Sequence, residues 1–303
     1  MKKLFVAIRY RLEALLAVSL VRVLGCLRPD QSSTLLGSFC RLVGPYLPSS
    51  RIVLRNLELA MPELDEAARI QIMRGVWENL GRTLGELPHL ASLEENTPVG
   101  PGFEVQGAEY LAQQAQRGGP VLFVSGHIGN WEMLPPAVAR HGTPFASFYR
   151  AAGNPLVDTL LRSLRSRAMG GNIVPLFAKG AKGARGALAY VSGGGRLGML
   201  VDQKMNDGIE ATFFGRPTMT APALAAMALR YRCPVIPGYV ERVGPARLRI
   251  VVEPPLELPD TGDKKQDLQR LVQMVNDRLE GWIRQKPSAW LWLHRRWAKE
   301  LYR

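Results

Sequence analysis

His127 and Glu132 stand with four residues between them in Ser125-Gly126-His127-Ile128-Gly129-Asn130-Trp131-Glu132, directly after the apolar run Pro120-Val121-Leu122-Phe123-Val124. An aliphatic hydroxyl is a poor nucleophile at neutral pH. A neutral imidazole within hydrogen-bond reach takes its proton as it attacks a thioester carbonyl. A carboxylate on the other ring nitrogen fixes the tautomer and stabilises the imidazolium that forms. The spacing therefore nominates His127 as general base and Glu132 as its orienting acid, with the hydroxyl supplied by a substrate. No G-x-S-x-G sequence is present, in keeping with direct transfer rather than an acyl-enzyme. The competing reading is a loop histidine followed by a carboxylate at a helix start, where the dipole favours it. The chain has four histidines; none lies at helical spacing from His127 and no cysteine accompanies it, so neither a metal nor an organic cofactor is expected.

Two other short apolar runs end in polar residues. Phe145–Tyr149 leads to Arg150, and Leu197–Val201 leads to Asp202-Gln203. In a parallel sheet such strand ends converge on one cleft. Arg150 there would hold an anionic group or a developing oxyanion; Asp202 and Gln203 would shape and hydrogen-bond the site, or Asp202 would cap a turn. Phe213-Phe214-Gly215-Arg216 reads either as an apolar wall with Arg216 at a head group or as core packing. Thr220 is placed to cap a following helix. Trp290, Trp292 and Trp297 interleave with His294, Arg295 and Arg296, a pattern that suits a membrane interface, stacking on single-stranded nucleic acid, or plain packing. The interface is the reading adopted, and no nucleic-acid partner is expected. The basic stretch Arg162–Arg167 offers a dock for an acidic carrier protein or an anionic lipid.

The elements that must position these groups follow from periodicity. Residues 28–102 read as helical: Ser32–Leu47, then Arg51–Met61 and Asp65–Leu87 separated by Pro62, closed by the breaker Pro98–Gly102. From residue 103 strands and helices alternate. Strands are expected at Phe103–Gln106, Pro120–Ser125, Phe145–Tyr149, Ile173–Phe177, Leu197–Val201, Val235–Val240 and Arg247–Val252. Helices are expected at Ala108–Arg117, Trp131–Arg140, Pro155–Arg167, Ala181–Ser192, Ala221–Tyr231 and Lys264–Arg284. This alternation predicts an α/β fold with a central mixed, mostly parallel sheet flanked by helices. Three segments result: 1–27 as an N-terminal anchor, 28–102 as a helical region and 103–303 as the α/β domain.

Among 303 residues the net charge is +13 and 47% are hydrophobic. Such a basic chain favours polyanions: nucleic acid, anionic lipid or an acidic protein. Residues 1–27 begin with Lys2-Lys3 and are apolar but interrupted by Arg9, Arg11, Glu13 and Arg22. The uncharged stretch Ala14–Val21 falls short of the roughly 20 residues that span a bilayer. A basic amphipathic helix on the cytoplasmic face of a membrane, or a tilted span, is expected. Cys26, Cys40 and Cys233 show no C-x-x-C spacing, so reduced thiols are expected.

Several blocks, taken in order, resemble the lysophospholipid acyltransferase superfamily, in its lipid A late-acyltransferase branch. They are Arg55–Leu64, His127–Glu132 with Gly129-Asn130-Trp131, Tyr149-Arg150 with Asn154-Pro155, Asp202-Gln203 with Phe213-Phe214-Gly215 and Thr220, and Pro287–Trp297. The resemblance implies transfer of a fatty acyl group from acyl carrier protein to a hydroxyl of a lipid A precursor, at the cytoplasmic face of a bacterial inner membrane. It implies substrate contacts by Asn130, Tyr149, Arg150, Asp202, Gln203, Phe214 and Arg216. Acylation of another lysolipid or glycolipid, and a non-catalytic membrane or RNA-binding module, are the alternatives.

Overall fold

The computed structural model describes residues 2–302, without the side chains of residues 2–4, so those of Lys2 and Lys3 lie outside the described residues. The helical first part comprises α1 (Lys2–Gly25), α2 (Pro29–Val43), α3 (Ser50–Ala60) and α4 (Glu66–Glu86). Asp65 caps α4, its carboxylate accepting from Ala68 N–H at 2.7 Å. Helices α2 and α4 pack closely: a Cβ on Gly85 would fall 2.6 Å from the Ser32 carbonyl oxygen, so glycine is what lets the backbones approach.

The remainder alternates as β1 (Gly102–Gln106), α5 (Ala108–Arg117), β2 (Val121–Ser125), α6 (Leu134–Arg140), β3 (Ala146–Tyr149), α7 (Pro155–Ala168), β4 (Leu176–Ala178), α8 (Ala181–Ser192) and β5 (Arg196–Leu200). Then come β6 (Ile209–Phe213), β7 (Arg216–Thr220), α9 (Ala223–Tyr231), β8 (Val235–Gly244), β9 (Arg247–Val252) and α10 (Lys264–Gln285). The sheet order is β1-β9-β8-β2-β5-β3-β4, and every neighbouring pair is parallel except β8 with β9. The chain is therefore α/β with a mixed, mostly parallel seven-stranded sheet between helices, as its periodicity predicts.

Strand β2 is buried along its whole length, as an apolar run with no alternation requires. Leu122 and Val124 face one core with Leu224 and Leu279, while Val121 and Phe123 face the other with Leu111, Met133 and Leu164. Some boundaries moved. The strand expected at Ile173–Phe177 is Leu176–Ala178, because the Gly170-Gly171 pair, both at positive φ, keeps the chain in a loop through Pro175. Thr220 ends β7 instead of capping α9. The hairpin β6–β7, read from sequence as an acyl wall or a plug, packs on α10.

Candidate active site

Ser125 pairs with Leu200 across the parallel strands β2 and β5. His127 and Asp202 each lie two residues beyond that pair, so the register brings them level at the carboxyl end of the sheet. The Nδ1 of His127 is 2.8 Å from Asp202 Oδ1, and the backbone N–H of His127 donates to Asp202 Oδ2 at 3.0 Å. The Trp290 indole N–H donates to the same Oδ2 at 2.7 Å. Asp202 is 2% exposed. Burial alone would raise its pKa, yet the charge of His127 and these donated hydrogen bonds hold it well below the usual carboxylate range. An ionised carboxylate has no proton to give, so Nδ1 of His127 carries the hydrogen and donates it, leaving the Nε2 lone pair free. Burial would push the His127 pKa down; the charge and hydrogen bond of Asp202 outweigh it, Glu132 adds to them, and the pKa is raised.

Glu132 does not touch the Nδ1 that its spacing from His127 suggested. Its two carboxylate oxygens accept from Arg165 on α7, Oε2 from Nε at 2.8 Å and Oε1 from Nη2 at 2.6 Å. The helical turn after Asn130 carries Glu132 toward α7, while β5 places Asp202 against the ring. His127, Glu132 and Arg165 all line one cavity of about 570 Å³ that extends between the sheet and helices α6 and α7 past Leu134, Val138, Phe145 and Ile236. It is polar near His127 and apolar beyond, a shape that accepts one hydrocarbon chain with its head group at the imidazole.

The loop carrying His127 is held on three sides. Gly129 has φ +60°, and a Cβ there would lie 2.0 Å from the Val240 carbonyl oxygen, so no other residue fits. Its N–H donates to the Ala289 carbonyl at 2.9 Å, and Leu291 N–H donates to the His127 carbonyl at 2.9 Å. From α4, the Asn79 amide donates to the carbonyls of Gly129 and Ala289, both at 3.1 Å. Asn130 is fully buried and donates to Glu86 at 2.7 Å. Glu86 in turn accepts from Ser33, from the Ala246 N–H and from Arg242. Helix α4 and the segment after α10 thus fix the His127 loop through buried polar contacts.

The whole of this geometry falls within a match to the family model described as bacterial lipid A biosynthesis acyltransferase, which spans residues 1–299. The chain belongs to that family. It is 26% identical over 266 residues to the lipid A biosynthesis myristoyltransferase of Escherichia coli (strain K12), covering 85% of this chain and 77% of the relative. Identity is also 26%, over the same coverage, to the lipid A biosynthesis acyltransferase 1 of Shigella flexneri. With the lipid A biosynthesis acyltransferase of Haemophilus influenzae (strain ATCC 51907 / DSM 11121 / KW20 / Rd) it is 23% over 245 residues, 78% of this chain and 72% of the relative. The protein is an acyltransferase, and the non-catalytic module considered from sequence is set aside.

Of the residues nominated from sequence, His127, Glu132, Tyr149 and Arg150 line the cavity, Tyr149 half-buried and Arg150 exposed. Asp202 holds the imidazole, and Gln203 follows it half-buried. Asn130 has no surface to offer a substrate; its NH2 group donates to Glu86, while its buried Oδ1 has no partner among the described residues. Phe214 and Arg216 stand outside the cavity lining. Phe214 is buried against Phe213 and Trp292, and Arg216 donates to the Leu59 carbonyl at 2.8 Å, so both serve packing of the β6–β7 hairpin. Trp290, Trp292 and Trp297 are interior, at most 3% exposed, and cannot sit among lipid head groups. Arg296 is 1% exposed and donates to Thr218 and Thr220. Arg165, read from sequence as part of a docking patch, and Trp290, read as an interface residue, are the site residues that spacing missed. The only sequence signal for either was its presence in a block of the resemblance or a charge run.

Proposed function

We propose that this acyltransferase moves a fatty acyl group from acyl carrier protein to a 3-hydroxyacyl hydroxyl of a lipid A precursor, with His127 as general base. The observation that carries the reading is the His127–Asp202 pair standing at the polar end of an apolar cavity. The acceptor hydroxyl gives its proton to His127 Nε2 and its oxygen attacks the thioester carbonyl. The C–S bond then breaks, the thiolate of the carrier departs, and the imidazolium returns a proton to it. Asp202 keeps the ring in the productive tautomer and stabilises the imidazolium. Glu132, bound by Arg165, adds negative charge beside the imidazolium and closes the wall between α6 and α7. Arg150 holds an anionic part of the acceptor.

Helix α1 is read as the membrane contact. Phe5, Ile8, Leu12, Leu15, Leu16, Leu20 and Val23 are exposed along one side, while Tyr10, Ala14, Ala17, Val21 and Leu24 turn inward. Among the described residues no helix is long and apolar enough to cross a membrane. The helix is apolar on its inward side too, so it lacks the amphipathic pattern expected from sequence. Packing of the inward side on the protein leaves an apolar side for a bilayer, with the arginine side chains long enough to reach head-group level.

The test is lipid mass spectrometry on cells carrying wild-type protein or His127→Ala at equal expression. Loss of one acyl chain from lipid A in the variant supports the reading and identifies the acceptor. Loss from a different lipid class would reassign the acceptor, and an unchanged lipid profile would remove His127 as the base.

A further inference from the structure

Asn154 caps α7, its side-chain oxygen accepting from Leu156 N–H at 2.9 Å. Serine or aspartate would cap equally well, because the cap needs one oxygen. The other end of the amide does something a cap does not require. Its NH2 group donates to the Tyr10 carbonyl of α1 at 2.8 Å and to Glu13 Oε2 at 3.0 Å. The side chain is 6% exposed, with both hydrogens and the oxygen used. Reversing the amide would set its oxygen against a carbonyl and a carboxylate, so the orientation is fixed by its partners.

The place of this contact matters. Asn154 ends the short loop that begins at Arg150, immediately after β3. The loop is fixed at its other points as well. Lys179 N–H donates to the Tyr149 carbonyl at 3.1 Å, and Ala152 N–H donates to Asp158 at 2.9 Å. Helix α1 packs along α7, whose later residues Arg162, Arg165 and Ala168 wall the cavity. The exposed apolar side of α1 is therefore joined, through one buried amide, to the loop that presents Arg150 at the carboxyl end of the sheet.

We propose that Asn154 is a positioning residue through which α1, seated at the bilayer, holds the Arg150 loop at the height where it meets a membrane-embedded acceptor. The inference rests on the reading above of Arg150 and α1. Asn154 touches no substrate; it acts through the loop. Its chemistry also explains why an amide stands where a carboxylate would cap: aspartate would face Glu13 with like charge.

The experiment uses the full chain with Asn154→Asp, which keeps the cap and removes both donors to α1. Activity is measured with acyl-acyl carrier protein and a phosphorylated lipid A precursor, either in phosphatidylglycerol-containing vesicles or dispersed in detergent micelles. The expected result is a KM for the vesicle-borne acceptor raised about tenfold, with kcat within about twofold and vesicle flotation unchanged. In micelles, where α1 no longer fixes the height of the site, the difference from wild type shrinks. Glu13→Gln/Asn154→Asp, which supplies a new donor from α1, recovers most of the lost affinity, and Glu13→Gln alone behaves as wild type. An unchanged vesicle KM in Asn154→Asp overturns the proposal. So does a loss of the same size in vesicles and micelles that the double variant does not repair, since that is the signature of general destabilisation. His127→Ala run beside it separates the two claims. If His127→Ala retains activity, the catalytic reading has failed; if it is inactive while Asn154→Asp matches wild type, the latch alone has failed.

Discussion

His127 and Asp202 stand at the same level of two adjacent parallel strands, each two residues past the pair Ser125–Leu200, and Asp202 receives both the ring N–H and the backbone N–H of His127. The double contact fixes the loop and the imidazole with one carboxylate. Trp290 donates a third hydrogen bond to Asp202 from the segment after α10. A carboxylate with three donors in a dry setting stays ionised, and its charge is what makes the buried imidazole a stronger base than burial alone allows.

Asp202→Asn is expected to lower kcat by about 10²–10⁴-fold, the range for losing effective general-base catalysis. The sign of the pH effect follows from the raised pKa of His127. With His127 as the proposed base the neutral ring is the working form, so kcat/KM of the wild type is expected to climb with pH through a point above the ordinary imidazole value of about 6.5. Asparagine removes the charge that raises it and leaves burial, so the rising limb moves to lower pH. A pH–rate profile of both proteins checks this, and an unmoved limb would separate Asp202 from the ionisation. The same shift makes a stability term that is complete below about pH 6.5 and is lost as pH rises through the folded value.

Glu86→Ala leaves Arg242, whose side chain is 10% exposed, without its buried carboxylate, and deprives Asn130 and Ser33 of theirs. Breaking a buried pair from one side costs about 3–5 kcal/mol. Thermal melting should fall accordingly. Glu86→Ala/Arg242→Met should lose less than the sum of the single changes, because it removes the stranded charge; simple additivity in a double-mutant cycle would contradict the coupling.

Val138 lies on α6 in the apolar part of the cavity and is 3% exposed. Val138→Phe fills space there. If the cavity holds the acyl chain, each methylene it excludes costs about 0.8 kcal/mol, roughly fourfold in affinity. Competition between acyl carrier proteins loaded with different chain lengths should then shift toward the shorter chain. An unaltered preference with intact activity would place the chain elsewhere.

Replacing Leu12, Leu15, Leu16 and Leu20 with glutamine removes an exposed apolar stripe from α1 without touching its inward residues. Flotation with vesicles containing anionic lipid should fall from most of the protein to a small fraction at physiological salt, with folding preserved by circular dichroism. Undiminished flotation would move the membrane contact to another face.

The sequence by itself determined where most of the elements lie, though not the strands of the β6–β7 hairpin, which were not among those expected, nor the start of β4. The unbroken apolar run Val121–Ser125 requires a strand covered on both faces, and helical spacing of apolar residues places α4 and α10, whose starts the structure shows capped by Asp65 and Asp263. It also placed His127, Arg150 and Asp202 after apolar runs, and so at the carboxyl end of the sheet. These are local signals: periodicity, caps and breakers act over a few residues. Only the tertiary structure decided that Asp202, distant in the chain, holds the ring that nearby Glu132 was expected to hold. That choice depends on β5 pairing with β2 and on their register, which are set by the packing of the whole sheet. The same holds for Trp290, Trp292 and Trp297. Their aromatic-basic pattern is equally compatible with a membrane face and with an interior, and the decision came from the hairpin, α10 and the β2 loop closing around them. A side chain's type limits what it can do, and its neighbours across the fold determine what it does.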